Sequence, residues 1–283
     1  MTIFEAYNHT KLKLKAAGIE DSVFEAKAII RHITGFTNSE ILTKYTNELT
    51  EFQQNNLTVI LRQREIRYPL QYILGEWAFY KYTFKVGVGV LVPRSDTEVL
   101  VEECAEYLKN IEKPKVLDLC AGSGCIGISL AMDYPDSAVV LVEKYPEAKR
   151  YLDENITLNG AYNAMAILGD VFEGTANTEK YDLIVSNPPY IPPKEMEIIS
   201  PETRFEPQTA LLGGEDGLDF YRAIIKNYKN SLKDGGMLAF EVGINEAQKV
   251  LALLEENGFQ EIKITKDLNS VERVVTAINS IKE

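Results

Sequence analysis

Lys115-Val116-Leu117-Asp118-Leu119-Cys120-Ala121-Gly122-Ser123-Gly124-Cys125-Ile126-Gly127-Ile128-Ser129-Leu130 reads as a strand, a small-residue turn and a helix in immediate succession. Gly122 and Gly124 permit a tight turn and a close backbone approach, so that N–H groups at the helix start can face a polar ligand. Such a turn is a weak signal alone, and the spacing downstream strengthens it. The apolar run from Ala138 to Val142 ends at Glu143, 25 residues after Asp118. An acid at that strand end can accept from both hydroxyls of a ribose. No Walker lysine follows the turn, which disfavours a nucleoside triphosphate and leaves a nucleoside.

The pattern repeats outward from this unit. A helix is expected from Pro146 to Leu158, then a strand from Ala164 to Leu168 that ends at Gly169-Asp170-Val171-Phe172. In a nucleoside-binding sheet this end lies beside the base. Asp170 can then take the exocyclic amine of adenine, with Val171 and Phe172 as apolar contacts. The run Leu183-Ile184-Val185 is short and β-branched, as in a buried parallel strand, and delivers Ser186-Asn187-Pro188-Pro189-Tyr190 to the ligand-binding edge of the sheet. Asn187 and Pro188 each precede a proline and are pushed into extended conformations, while the prolines carry no N–H. The segment therefore presents the Asn187 side-chain oxygen and the Pro188 carbonyl as acceptors, with the Tyr190 ring close behind. Two acceptors and an aromatic ring suit an NH2 group on a planar π-system, held with its nitrogen aimed at an electrophile.

Arg204 to Ala210 and Gly213-Gly214-Glu215-Asp216-Gly217 form a long polar connection, expected as a substrate-facing flap. A helix is expected from Leu218 to Leu232, a turn at Asp234-Gly235-Gly236, a strand from Met237 to Val242 and a helix from Glu246 to Glu256. Strands at Phe259 to Thr265 and Val271 to Ile278 close one edge as an antiparallel pair. Strands alternating with helices predict an α/β, doubly wound sheet.

Upstream, Ile3 to about Arg67 carries helical periodicity punctuated by Gly18 and Gly35, with caps offered by Asp21-Ser22 and Thr37-Asn38-Ser39 and a last helix from about Thr50 to Arg67. Trp77 to Val86 alternates with aromatics like a β-hairpin. Asp96 or Thr97 is placed to cap a helix from Val99 to Leu108. The expected organisation is a helical domain over residues 1–74, a hairpin linker over 75–92 and an α/β domain over 93–283.

Composition narrows the chemistry. The chain has 283 residues, 45% of them hydrophobic, with two histidines and three cysteines that show no CxxC spacing. Metal chemistry and histidine acid/base chemistry are not expected. The net charge is −12, and residues 1–75 hold nine Lys and Arg against eight Asp and Glu, so the α/β domain is the acidic part. That disfavours direct nucleic-acid binding. No stretch reaches the roughly 18 apolar residues of a membrane span, and Met1 to Thr10 lacks signal-peptide regions. A cytoplasmic protein is expected.

The stretches RYPLQYILG (67–75), PRSDTE (93–98), DLCAGSGCIGISLA (118–131), SNPPYI (186–191) and EPQTALLGGEDGLDFYR (206–222) occur in this order over essentially the whole chain. In this the chain resembles the HemK/PrmC family, the peptide chain release factor glutamine methyltransferases. The resemblance implies a Rossmann-like class I methyltransferase fold behind a small helical bundle. It implies transfer of a methyl group from S-adenosylmethionine, leaving S-adenosylhomocysteine, to the side-chain amide nitrogen (N5) of the glutamine in a release factor's Gly-Gly-Gln loop. It also implies that Cys120, Ala121, Gly122, Ser123, Gly124, Glu143, Val171 and Asn187 fall at cofactor positions, and Asn187, Pro188, Pro189 and Tyr190 at substrate positions. The 1–74 bundle would dock the release factor, and a monomer with no metal is expected. Cys120 stands where the family usually has glycine, Glu143 where aspartate is common and Ser95 where a second proline is usual. Two other readings share parts of this pattern: a nucleic-acid adenine-N6 methyltransferase, which uses the same Asn-Pro-Pro-Tyr loop, and a non-catalytic interaction protein with a vestigial nucleoside site.

Overall fold

The computed structural model describes residues 1–174 and 179–280. The chain forms two compact units, one comprising Met1–Gly75 with Ser200–Phe205 and the other Glu76–Ile199 with Glu206–Glu283.

The first unit consists of helices α1 (Ile3–Ala16), α2 (Ser22–Thr34), α3 (Asn38–Thr43), α4 (Glu51–Glu65) and α5 (Leu70–Leu74). Three of them start on reciprocal caps, Thr2 with Glu5, Thr37 with Glu40 and Thr50 with Gln53. Asp21 stands at the start of α2 but makes no side-chain cap bond. Gly18 and Gly35 stop helices in the left-handed region, with φ of 73° and 70°. Ile3, Ala6, Leu14, Ala26, Ile29, Ile30 and Leu57 are buried as its core.

An arginine lies within this apolar interior. Arg64 is 1% exposed and donates to both oxygens of Glu25 at 2.8 Å each, to the Tyr68 carbonyl at 2.5 Å and to Glu202 at 3.2 Å. Arg67 donates to the two Glu202 oxygens at 2.6 and 3.0 Å. These bonds explain why Ser200–Phe205, 125 residues beyond Gly75, belongs to the helical unit. Burial pushes the Glu25 carboxyl up, and Arg64 pulls against it.

The second unit begins with a hairpin, β1 (Glu76–Phe79) and β2 (Tyr82–Lys85), in which Trp77 faces Phe84. There follow α6 (Glu98–Leu108), β3 (Lys115–Leu119), α7 (Cys125–Asp133), β4 (Ala138–Glu143), α8 (Pro146–Asn159), β5 (Ala164–Leu168), β6 (Tyr181–Ser186), α9 (Asp219–Tyr228), β7 (Leu232–Glu241), α10 (Ala247–Glu256), β8 (Phe259–Lys266) and β9 (Glu272–Asn279). Seven strands form one sheet in the order β5-β4-β3-β6-β7-β9-β8. The first five are parallel, and β9 lies antiparallel between β7 and β8. One core holds residues of α6, α7 and α8 and of the hairpin, the other residues of α9 and α10. The sheet is thus covered on both faces, which is why β6 is buried along its whole length. The doubly wound α/β expectation holds.

Two further local expectations fail. The helix expected to reach Leu232 ends at Tyr228, and after a 3₁₀ turn over Lys229–Ser231 strand β7 already starts at Leu232. Leu232 pairs with Tyr181 and is buried, and the register then slips so that Leu183 meets Met237; the glycines expected as a turn sit inside this irregularity. Neither Asp96 nor Thr97 caps α6 through its side chain. Asp96 pairs with Arg273 at 3.0 Å, and Thr97 turns inward.

Removing Arg64 strands the half-buried Glu25 carboxylate. Arg64→Ala is expected to cost about 3–5 kcal/mol of unfolding free energy, read from urea denaturation. An added Glu25→Leu should recover much of that loss; a single variant as stable as the parent contradicts the account.

Candidate functional site

Strand β3 has β4 on one side and β6 on the other, so Leu119 faces Val142 across one ladder and Ser186 across the other. The segments that follow these strands therefore leave the same edge of the sheet, on both sides of the point where strand order reverses, which is where open α/β sheets bind ligands. Ser186 Oγ donates to the Leu119 carbonyl at 2.6 Å and ties the two strand ends together.

The turn after β3 is compact because its backbone is largely left-handed: Cys120, Gly122 and Gly124 have φ of 58°, 55° and 82°. Ala121 N–H donates to the Val142 carbonyl at 3.0 Å and Gly124 N–H to the Ala121 carbonyl at 2.7 Å. A side chain at Gly124 would strike Leu152 and Ile128 at 2.2 and 2.8 Å. Glu143, at the end of β4, accepts from Gly122 N–H and Tyr145 N–H at 2.8 Å each. Burial pushes its carboxyl up, and these N–H groups pull it back. Each oxygen keeps a lone pair for a further donor.

Beneath the turn lies Asp118, fully buried. It accepts from Gly127 N–H at 2.9 Å through one oxygen, and its other oxygen has no partner. Burial raises its carboxyl to about 7. Its signal in the sequence was an acid in the middle of an apolar strand.

Cys120, Ala121, Gly122, Ser123, Glu143, Asp170, Val171, Asn187 and Pro189 line one cleft of about 900 Å³, part of it open to solvent. Gly124, Pro188 and Tyr190 do not line it. Asp170 accepts from Phe172 N–H at 3.0 Å and pairs with Lys144 at 2.7 Å. Burial alone would raise its carboxyl, but Lys144 and the N–H outweigh it and the group sits low. It is a turn cap that also faces the cleft. Arg94, Thr97, Cys125, Ala148 and Phe220 complete the lining. Arg94 pairs with the buried Glu206, which also accepts from Val92 N–H at 2.9 Å. The thiols of Cys120 and Cys125 are free, and burial pushes both up, so neither is a ready nucleophile. Among the described residues no group of His, Cys, Asp and Glu is placed to hold a metal ion, and no helix is long and apolar enough to cross a membrane.

Tyr190 packs beside the core on the α9 and α10 side, where burial pushes its phenol well up. Three glycines make room for it. A Cβ at Gly213 would lie 2.5 Å from Tyr190 Cα, one at Gly217 2.5 Å from the Tyr190 carbonyl oxygen and one at Gly243 2.9 Å from Tyr190 Cδ2. Ile191 N–H donates to the Leu211 carbonyl and Gly213 N–H to the Ile191 carbonyl, at 2.8 and 3.0 Å. The Gly-Gly-Glu-Asp-Gly segment thus grips the end of the Asn-Pro-Pro-Tyr loop.

The Asn187 amide nitrogen donates to Thr97 Oγ1 at 3.3 Å. Glu241, the last residue of β7, is 2% exposed, and one of its oxygens has no partner. Neither Thr97 nor Glu241 was expected at the site.

Residues 5–75 match the family model described as the PrmC N-terminal domain, and residues 95–202 the one described as the methyltransferase small domain. A release factor glutamine methyltransferase of Fusobacterium nucleatum is 38% identical over 281 residues, 98% of this chain and 79% of that protein. Those of Thermodesulfovibrio yellowstonii and Geobacter sulfurreducens are 36% and 37% identical; the first match covers 90% of this chain and 91% of that protein, the second 97% and 95%.

Because Gly213 touches backbone rather than a movable side chain, Gly213→Ala must displace Tyr190. The expected cost is about 1–3 kcal/mol in denaturant unfolding, with the near-ultraviolet signal of the tyrosines altered. A variant that matches the parent in both would show that the loop is not gripped there.

Proposed function

The chain belongs to the release factor glutamine methyltransferase family, and on that premise we propose that it methylates the side-chain amide nitrogen of the Gly-Gly-Gln glutamine in peptide chain release factors, using S-adenosylmethionine. The observation that carries this reading is the meeting, in one cleft, of an acid at the end of β4 with the Asn187 side chain at the end of β6. In this reading Glu143 and Asp170 serve a nucleoside and Asn187 serves an NH2 group in the same cleft.

The residues suit this cofactor. Glu143 keeps lone pairs for the ribose hydroxyls, the Cys120–Gly124 turn brings backbone close to the ligand, and Val171 and Phe220 offer apolar walls to the base beside Asp170. When bound, S-adenosylmethionine supplies a methyl group on a sulfonium, a carbon already activated toward attack. Asn187 Oδ1 accepts one hydrogen of the glutamine amide and sets the direction of its nitrogen, and the Pro188 carbonyl, outside the cleft lining, takes the other as the substrate binds. An amide nitrogen is a poor nucleophile because its lone pair is delocalised. Acceptors on its hydrogens favour pyramidalisation and stabilise the positive charge that grows as the N–C bond forms. Transfer would leave the C–S electron pair on sulfur, as S-adenosylhomocysteine, and the methylated nitrogen would lose its proton to water. No base is required before transfer.

In this reading residues 1–74 form the docking domain for the release factor, the partner is a protein rather than a nucleic acid, and the enzyme acts in the cytoplasm. Tyr190 supports the loop through its packing.

Labelled methyl from S-adenosylmethionine is expected to enter a purified release factor and not a variant whose Gly-Gly-Gln glutamine is alanine. Label in duplex DNA with none in the release factor would overturn the reading in favour of an adenine methyltransferase. For Asn187→Ala we expect turnover to drop about 10²- to 10³-fold while cofactor affinity, read by calorimetry, stays within about threefold. Near-normal turnover at saturating cofactor would remove Asn187 from its role.

A further inference from the structure

The amide of Asn187 can sit either way round, because its oxygen and nitrogen have almost the same size and shape. Its role above needs Oδ1 toward the cleft, so something must hold the NH2 group the other way. Thr97 is 1% exposed and lies beside that NH2 group, and Glu241, the last residue of β7, is 2% exposed. Ser186 pairs with Phe240, so Glu241 stands level with Asn187 at the end of the β6–β7 ladder; Thr97 and Asn187 both hold its carboxyl down against burial, and its Oε2 is left without a partner. At these exposures no bulk water reaches the group to substitute.

We propose that Glu241 is a positioning residue for methyl transfer: its buried carboxylate, acting through the Thr97 hydroxyl, fixes the orientation of the Asn187 amide so that Oδ1 faces the substrate. The inference rests on the glutamine reading above. A carboxylate only accepts, so the single hydroxyl hydrogen of Thr97 goes to Glu241. Thr97 Oγ1 is then left with lone pairs alone and can take only a donor, so the 3.3 Å contact must be to Nδ2. The Asn187 oxygen is thereby turned to the cleft. The order of the relay is dictated by the one member that cannot donate.

Protonation reverses the logic. A neutral Glu241 can donate to Thr97, which frees the hydroxyl hydrogen for the Asn187 oxygen and turns the amide round. Burial pushes the Glu241 carboxyl up to about 7, with Thr97, Arg273 and Asn187 pulling against it and Asp96 adding to the rise. The other groups facing this region are Tyr190 on the loop, Cys125 on α7 and Tyr221 on α9, whose hydroxyl donates to the Glu241 carbonyl at 2.9 Å. Arg273 on β9 is shared with Asp96 and Asp267, at 3.0 and 3.2 Å. The active orientation therefore exists above the Glu241 value and is lost as pH falls through it.

Two measurements test this. In the first, the side-chain NH2 signals of Asn187, assigned by their absence in Asn187→Asp, are followed by NMR from about pH 5 to about pH 9 without substrate. They are expected to titrate near pH 7 in the parent and not in Glu241→Gln; a flat parent, or a titration unchanged in the variant, overturns the inference whatever the substrate proves to be. In the second, turnover on the release factor is compared across the same range. Glu241→Gln is expected to lose the acid limb and about 10- to 100-fold of the plateau kcat, with cofactor affinity within about threefold. Thr97→Val should lose a similar factor, and Thr97→Ser, which keeps the hydroxyl, should restore most of it. An acid limb that persists in Glu241→Gln, or equal losses in the serine and valine variants, overturns the inference. A release factor left unlabelled by the parent counts against the glutamine reading alone, and the NMR titration still decides the role of Glu241.

Discussion

The parallel pairing of β3 with β6 is the constraint on which the site depends. The two strands are separated in sequence by two further strands and two helices, yet Leu119 and Ser186 stand side by side and share a buried 2.6 Å hydrogen bond. Because the strands run the same way, their following loops emerge together: the left-handed turn at Cys120–Gly124 from one and Asn187 from the other. With β4 on the opposite side of β3, Glu143 is delivered to the same edge. Glu143, the 120–124 turn and Asn187 become neighbours through strand order alone, with no long loop needed to bring them together.

The stability cost of this arrangement is visible in its acids. Asp118, Glu143, Glu241 and Glu246 are all buried in the second unit, and in each case burial pushes the carboxyl up. Backbone N–H groups offset part of the desolvation: Gly127 for Asp118, Gly122 and Tyr145 for Glu143, and Gly243 for Glu246. Glu241 has no such N–H and is balanced by Thr97, Arg273 and Asn187. Carboxylates held in this state are poor choices for stability and good ones for orienting a polar ligand or a neighbouring amide.

The connection between β6 and α9 contributes to both units. It begins with the Asn-Pro-Pro-Tyr loop, lends Ser200–Phe205 to the helical bundle through Glu202, and at Glu206 receives Val92 N–H and Arg94. It then returns as the glycine-rich grip on Tyr190. Its glycines at 213 and 217 therefore answer to close backbone approach rather than to flexibility. A long loop with this much specific bonding is a structural part in its own right.

Much of this was legible from short-range rules. Alternating apolar runs and helical segments foretold the doubly wound sheet, because a parallel strand must be followed by a crossover that covers it. The glycines of the 122–124 turn and the prolines after Asn187 foretold a turn and an irregular loop, because backbone sterics act on adjacent residues. Such rules misplaced the end of α9, where burial of Leu232 against Tyr181 overrode helical periodicity. They also misread Thr97, which looked like a cap and instead meets Asn187 across 90 positions of sequence. Glu241 and Glu202 were silent, one an acid at a strand end and the other an acid in a polar connection. Local conformation follows from a residue and its immediate neighbours, so the sequence by itself determined the elements, the turn and the loop. Which side chains share a proton or a charge depends on the order in which strands and helices come together, and that only the tertiary structure decided.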